Sequence, residues 1–202
     1  VDQATEGALI PRLLGSYESE LHPHLARIAA SGIDTIIDVG CAEGYYAVGL
    51  ARMMPGVTVH ARDIDEAALA ACRELAAKNG VTDGVQVGGE FRPEDFQVFA
   101  GAKAMVMVDA VGAEVDILRP DLAPALAGMQ IIVETHDVYR PGALDTMMTR
   151  FSSTHDIIRV DQQPKMIEMP GWLKELGHLD QLLAVWEWRF RPTPWLVMTP
   201  KG

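Results

Sequence analysis

Thr35-Ile36-Ile37-Asp38-Val39-Gly40-Cys41-Ala42-Glu43-Gly44-Tyr45-Tyr46-Ala47-Val48-Gly49-Leu50-Ala51 is the stretch that decides the fold of this chain. Ile36, Ile37 and Val39 form the short apolar run of a buried strand, and Tyr46, Ala47, Leu50 and Ala51 recur at helical spacing. Between them, Gly40 to Gly44 must turn the chain sharply. Strand, glycine turn and helix in this order open a nucleotide-binding βαβ unit. Gly40 allows a tight turn and a close approach of backbone to ligand. The helix beginning near Gly44 aims its free N–H groups at the same place. Two ligand classes fail on spacing. A G-x-G-x-x-G fingerprint counted from Gly40 needs glycine where Ala42 and Tyr45 stand, which disfavours a nicotinamide oxidoreductase, and no Gly-Lys-Ser/Thr end makes a P-loop.

Outside this stretch, composition bounds the answer. The chain has 202 residues and 49% apolar content, enough for one domain with a full core over residues 1–202. A formal charge of -11 argues against nucleic acid as partner, because that binding rests on Lys and Arg neutralising phosphates. Two cysteines, Cys41 and Cys72, give no disulfide framework and fit a reducing compartment. Cys72 shares a helix face with Leu69 and Leu75, so core packing is its expected role. No apolar run is long enough to span a membrane, and the N-terminus lacks a basic, apolar signal pattern. A cytoplasmic protein is expected, with no membrane partner; self-association stays open.

Before the first strand, Leu13, Tyr17, Leu21, Leu25 and Ile28 form a helical stripe, which Pro23 is expected to split. Residues 1–31 thus read as a helical cap ended by Gly32, and Tyr17, Glu18, Glu20 and His22 cluster at the break. They are either a solvated face with one core tyrosine or a segment folded over the ligand site. After the turn, Val57 to Asp63 reads as the second strand, with a helix to Gly80. Val85 to Val87 is the third strand, and 92–99 a short helix. Ala104 to Val108 is the fourth strand and Ile131 to Val133 the fifth. Residues 143–153 are helical, and His155 to Val160 is the sixth strand. Residues 161–180 are loop-rich, with Met166, Met169 and Trp172 among them, and suit either a substrate lid or an ordinary connection. Leu179 to Trp188 reads as helix and Pro194 to Thr199 as the closing strand. Trp186, Trp188 and Trp195 are expected in the core.

Asp38-Val39-Gly40-Cys41-Ala42-Glu43-Gly44 resembles the first motif of the class I S-adenosylmethionine-dependent methyltransferases, with Ala42 where the family often has a further glycine. The resemblance implies a Rossmann-like α/β/α sheet of about seven strands, mostly parallel, with the last strand antiparallel beside the fifth. It implies S-adenosylmethionine as cofactor and S-adenosylhomocysteine as product. The cofactor turn would be Asp38, Gly40, Cys41, Ala42, Glu43, Gly44 and Tyr45. Asp63, at the end of the second strand, is placed to accept from both ribose hydroxyls; the competing role is a helix N-cap. Ile64 would pack on the adenine, and Glu90 stands where the family often has an acid for the adenine amino group, unless it is a plain surface residue. Asp109 completes the set.

The fourth strand ends in Asp109 and the fifth in Glu134-Thr135-His136-Asp137, so these titratable groups share the carboxyl edge of the sheet, where ligands of such folds sit. Val108 to Glu114 followed by Val133 to Asp137 resembles the FkbM-like branch, with Asp-x-Glu-Gly-x-Glu after strand four and Glu-x-His after strand five. Val111 stands where that branch has its middle glutamate. The likeness is good over about residues 35–137 and loose elsewhere. It implies an oxygen acceptor on a small molecule or sugar. His136 is the expected general base, from its ordinary near-neutral pKa, with Asp109 or Glu134 orienting it or acting instead. One alternative gives Asp109, Glu134, His136 and Asp137 to a divalent metal, which the sequence does not favour. Another is a domain that binds the cofactor without catalysis.

Overall fold

A computed structural model describes residues 4, 7–165 and 167–202. Met166, read into the loop-rich segment, and residues 1–3 and 5–6 of the cap lie outside the described residues. The elements run α1 (Leu9–Leu14), α2 (His22–Ala29), β1 (Thr35–Val39), α3 (Tyr45–Met53), β2 (Thr58–Arg62), α4 (Glu66–Lys78) and β3 (Val85–Gly88). They continue with β4 (Ala104–Val108), α5 (Glu114–Ile117), β5 (Gln130–Glu134), α6 (Ala143–Phe151), β6 (His155–Val160), α7 (Gly171–Lys174), α8 (His178–Ala184) and β7 (Trp195–Pro200).

The strands form one seven-stranded sheet in the order β3-β2-β1-β4-β5-β7-β6. β1 to β5 are parallel, and β7 lies antiparallel between β5 and β6. Side chains alternate across each strand, so neighbours feed opposite layers. Ile36, Met105 and Ile132 pack with Leu21, Leu25 and Val48 on one face. Ile37, Val106 and Ile131 pack with Leu126, Met147 and Phe151 on the other. With both faces covered, the central strands carry the near-continuous apolar runs that a parallel sheet requires. Cys72 is fully buried beside Leu69 and Leu75 in the first of these layers, as expected.

Several boundaries differ from the sequence reading. The N-terminal stripe breaks at Gly15, whose positive φ of 69° closes α1, and Pro23 instead sits in the opening turn of α2. There its missing N–H costs nothing. Leu13 is exposed and is not part of the buried stripe, while Leu21, Leu25 and Ile28 are. Residues Pro93–Phe99 form a 3₁₀ helix. α8 ends at Ala184 instead of reaching Trp188. Trp186 and Trp188 consequently lie 48% and 64% exposed, and only Trp195, paired into the sheet beside β5, takes the expected core place. Among the described residues no helix is long and apolar enough to cross a membrane.

Candidate active site

The carboxyl ends of β1, β2 and β4 surround a cavity of about 480 Å³. Its floor is the turn after β1. Gly40 and Cys41 donate their backbone N–H groups to the Arg62 carbonyl at 2.9 and 3.0 Å, tying the turn to β2. Gly40 has φ of 82°, and a Cβ there would lie 1.9 Å from the Asp109 carbonyl oxygen. That atom belongs to the backbone and cannot swing aside. Gly40→Ala is therefore expected to displace the β1 turn from the β4 end, reshape this cavity and lower the melting temperature; an unchanged melting temperature would contradict this placement. Ala42 sits at φ of 47°, a conformation in which glycine is more comfortable. The departure from the family glycine is thus carried as local backbone strain.

Asp63 forms a cavity wall. Its two carboxylate oxygens accept from the N–H groups of Ala42 and Asp65, each at 2.9 Å. The carboxylate is thereby fixed in orientation, with lone pairs left for a diol. The N-cap role weighed for Asp63 belongs instead to Asp65, which accepts from the Ala67 N–H at 2.8 Å. Ile64 lines the same cavity and is 86% exposed, an apolar side chain with open space to fill. Glu90 and Asp109 also line it, as does Phe91, which the sequence reading missed.

The remaining residues assigned to the cofactor turn do not line this cavity. Asp38 is buried beneath the turn, where burial and the nearby Asp63 lift its carboxyl to about 7. One of its oxygens has no partner among the described residues. Cys41 is buried against Cys72. Gly44 packs on Cys72 too, where a Cβ would lie 2.7 Å from its sulfur. Glu43 is buried and ion-paired with Arg12 of α1. Tyr45 stacks edge-on against Tyr17 and Tyr46. These residues hold the turn and the N-terminal cap together from behind.

A second cavity, of about 200 Å³, adjoins the first, with Asp109 and Val111 in the walls of both. Val111 adopts φ of 35°, which a β-branched side chain resists. Strain of this kind persists where the surroundings impose it, commonly at functional sites. Gly112 and His136 donate their backbone N–H groups to the buried Glu114 carboxylate at 2.7 and 2.8 Å. That acid therefore fixes the loop after β4 to the loop after β5. The His136 ring lies 3.2 Å from Glu134, 3.6 Å from Asp109 and 3.7 Å from Glu114. Asp137 turns away and accepts from the N–H groups of Gly142 and Leu144 at the start of α6, at 2.9 and 3.0 Å.

Electrostatics redistribute the roles. Burial opposes charge on His136, but Glu114, Glu134 and Asp109 outweigh it and lift the ring to about 10. A ring raised in this way favours its protonated form, which holds no free lone pair for a proton. The three acids that converge on His136 thus work against the near-neutral histidine base expected from the sequence. Asp109 is held well above the ordinary carboxyl range by burial and by the charge of Glu134. Burial pushes Glu134 upward as well, but His136 and Arg189 bring it down to about 2.

Arg189 is the residue that sequence reasoning missed altogether. It pairs with Glu18 and Glu134, lies 3.3 Å from Glu187 and donates to the Thr193 hydroxyl. Glu18 accepts from the Tyr46 hydroxyl, and its own N–H donates to Glu187 at 2.7 Å. Lys165, from the loop-rich segment, is buried between Glu20 and Glu187. Of the polar cluster at the N-terminal break, Tyr17 reaches the second cavity and Glu18 the ion network, while His22 stays exposed. Asp109, Glu134 and His136 offer donor atoms within 4.8 Å of one another, a set suited to a divalent cation.

The strand order β3-β2-β1-β4-β5-β7-β6, with β7 inserted antiparallel beside β5, is the sheet that the sequence resemblance leads one to expect. The fold is shared with an O-methyltransferase from Bacillus cereus solved with S-adenosylhomocysteine, at 13% identity and a TM-score of 0.56 over 98% of this chain and 93% of that one. It is likewise shared with the O-methyltransferase TomG from Streptomyces achromogenes solved with S-adenosylmethionine, at 14% identity and a TM-score of 0.54 over 100% and 93% of the two chains. Residues 31–104, from the end of the cap to the start of β4, match the family described as a methyltransferase domain. The chain is also similar to the release factor glutamine methyltransferase of Chlorobaculum tepidum, 35% identical over 118 residues. That match takes in 56% of this chain and 36% of that protein, so the chain spans about a third of its relative's length.

Proposed function

We propose that this chain is an S-adenosylmethionine-dependent methyltransferase acting on an oxygen of a small acceptor, with Asp109 as general base. The observation that carries the reading is the pair of cavities meeting at Asp109. The first has the size of a ligand pocket, a fixed carboxylate at Asp63 for a ribose and an exposed Ile64 for a flat base. When bound, S-adenosylmethionine supplies an electrophilic methyl group on a sulfonium. The work left to the protein is alignment and removal of one proton. Asp109 faces both cavities, so it can take the proton of an acceptor hydroxyl held in the second. A cation placed in the first cavity favours its ionised form. His136, charged and 3.6 Å away, holds that carboxylate in place. The meeting of Asp109, Glu114, Glu134 and His136 supports the FkbM-like assignment, with Glu114 serving as a strut between loops.

Two other readings have an observation behind them. The likeness to a release factor glutamine methyltransferase points to an amide nitrogen on a protein. The converging donors of Asp109, Glu134 and His136 point to a metal-assisted reaction, although Arg189 already occupies Glu134. Methyl-labelled S-adenosylmethionine incubated with small hydroxyl acceptors, and in parallel with a glutamine-bearing peptide, tests the proposal. Label in the hydroxyl set, insensitive to chelator, is the expected result. Label in the peptide alone selects the amide. Loss with chelator and recovery with magnesium selects the metal. Binding of S-adenosylhomocysteine with transfer to neither acceptor leaves a binding module.

A further inference from the structure

We infer that the acceptor is a planar hydroxylated acid whose carboxylate is held by Arg191 at the mouth of the second cavity; the inference rests on the methyltransferase reading above. Four aromatic side chains, Tyr17, Tyr139, Trp188 and Phe190, contribute to the cavity wall. Tyr139 and Phe190 meet edge-on at 6.4 Å, and they stand 57% and 70% exposed, beside the exposed Trp188. Large aromatic faces left uncovered around a concavity suit a flat ligand that stacks between them. The cavity, at about 200 Å³, is smaller than the ~300–1,000 Å³ that takes a drug-sized ligand, which limits the buried part to about a single ring.

The charges around this cavity single out one residue. Glu134 and Glu187 are matched by Arg189 and Lys165, and His136 lies among carboxylates. Arg191 lines the same cavity and is exposed, and no hydrogen bond or ion pair to it occurs among the described residues. Its backbone is prepared for a fixed task. Pro192 restricts the conformation of the residue before it. Thr193 donates its hydroxyl to Glu134 at 2.7 Å, and the Pro194 carbonyl accepts the Thr135 N–H at 2.9 Å. The segment carrying Arg191 is thus pinned to the end of β5, beside the reacting groups. The guanidinium itself is exposed on this pinned backbone, and its planar fork suits bidentate recognition of a carboxylate at the cavity mouth.

The test uses the complex with S-adenosylhomocysteine and measures binding of 3-hydroxybenzoate and of its methyl ester by calorimetry and by tryptophan fluorescence. The wild type is expected to bind the acid at least about tenfold more tightly than the ester. In Arg191→Gln the two should bind alike, with affinity for S-adenosylhomocysteine unchanged, which also shows that the variant is folded. Equal binding of acid and ester by the wild type, or a preference that survives in Arg191→Gln, overturns the inference. So does failure of both compounds to bind while S-adenosylhomocysteine does, and that outcome leaves the methyltransferase reading standing. If S-adenosylhomocysteine itself does not bind, that reading falls and this inference with it.

Discussion

Asp109→Asn is expected to lower methyl transfer by about 10²–10⁴ at saturating cofactor, with the fold intact. Asparagine keeps the shape of the side chain and cannot accept the proton. The pH profile distinguishes a lost base from a disturbed pocket. Burial and Glu134 hold the Asp109 carboxyl well above its ordinary range. A carboxyl is protonated below its pKa, so the active, ionised fraction grows as pH rises. Wild-type turnover should therefore climb with pH from the acid side. No loss should come from His136 until the ring gives up its proton near about 10. The residual activity of Asp109→Asn should lack this rise. A wild-type rate that falls from acid to neutral pH, or full activity in Asp109→Asn, would remove Asp109 from the base role.

Arg189→Ala is expected to cost about 3–5 kcal/mol of stability, because it leaves buried carboxylates without their cation. Glu18 and Glu134 are both buried on this guanidinium. The pH dependence has a definite sign. Glu134, depressed to about 2 in the folded protein, contributes stability above its ordinary unfolded value, and that contribution is lost as pH falls towards 2. Glu18 is raised to about 8, so its burial costs increasingly as pH rises from the unfolded value through 8. Without Arg189 both acids should take up protons more readily. The deficit of the variant should then be larger at pH 9 than at pH 5 in urea unfolding. A deficit below about 1 kcal/mol, equal at both pH values, would show that the network has no such role.

Much of the fold can be read from residues close together in sequence. The apolar run and glycine turn at Ile36 to Gly44 place β1 and α3, and the acids ending β2 and β4 are local features of those strands. The cavity walls at Asp63, Ile64 and Asp109 follow directly from them. What resists reading is set by long-range pairing. Glu18 and Arg189 meet across almost the whole chain, as do Glu20 and Lys165. In sequence, each is an isolated charge of the kind usually found solvated. The run Glu187-Trp188-Arg189-Phe190-Arg191 carried the one available signal, charges alternating with aromatics just before the closing strand. The ordinary helical spacing of Leu179 to Trp186 obscured it. His136 was recognised for its residue type, but its charge state depends on Glu114, which reaches it from another loop. Asp38, Glu43 and Tyr45 show the complementary limit. A motif gives the position of a turn and leaves open which side chains face the ligand and which brace it from behind.

The most direct measurement is a calorimetric titration of S-adenosylhomocysteine into the wild type and Asp63→Ala. The wild type should bind one equivalent. Asp63→Ala should bind more weakly by about 1.5–3 kcal/mol, since the ribose hydroxyls lose a charged acceptor. No binding by the wild type, or an affinity unchanged in Asp63→Ala, would contradict the assignment of the cavity at the end of β1 as the cofactor site.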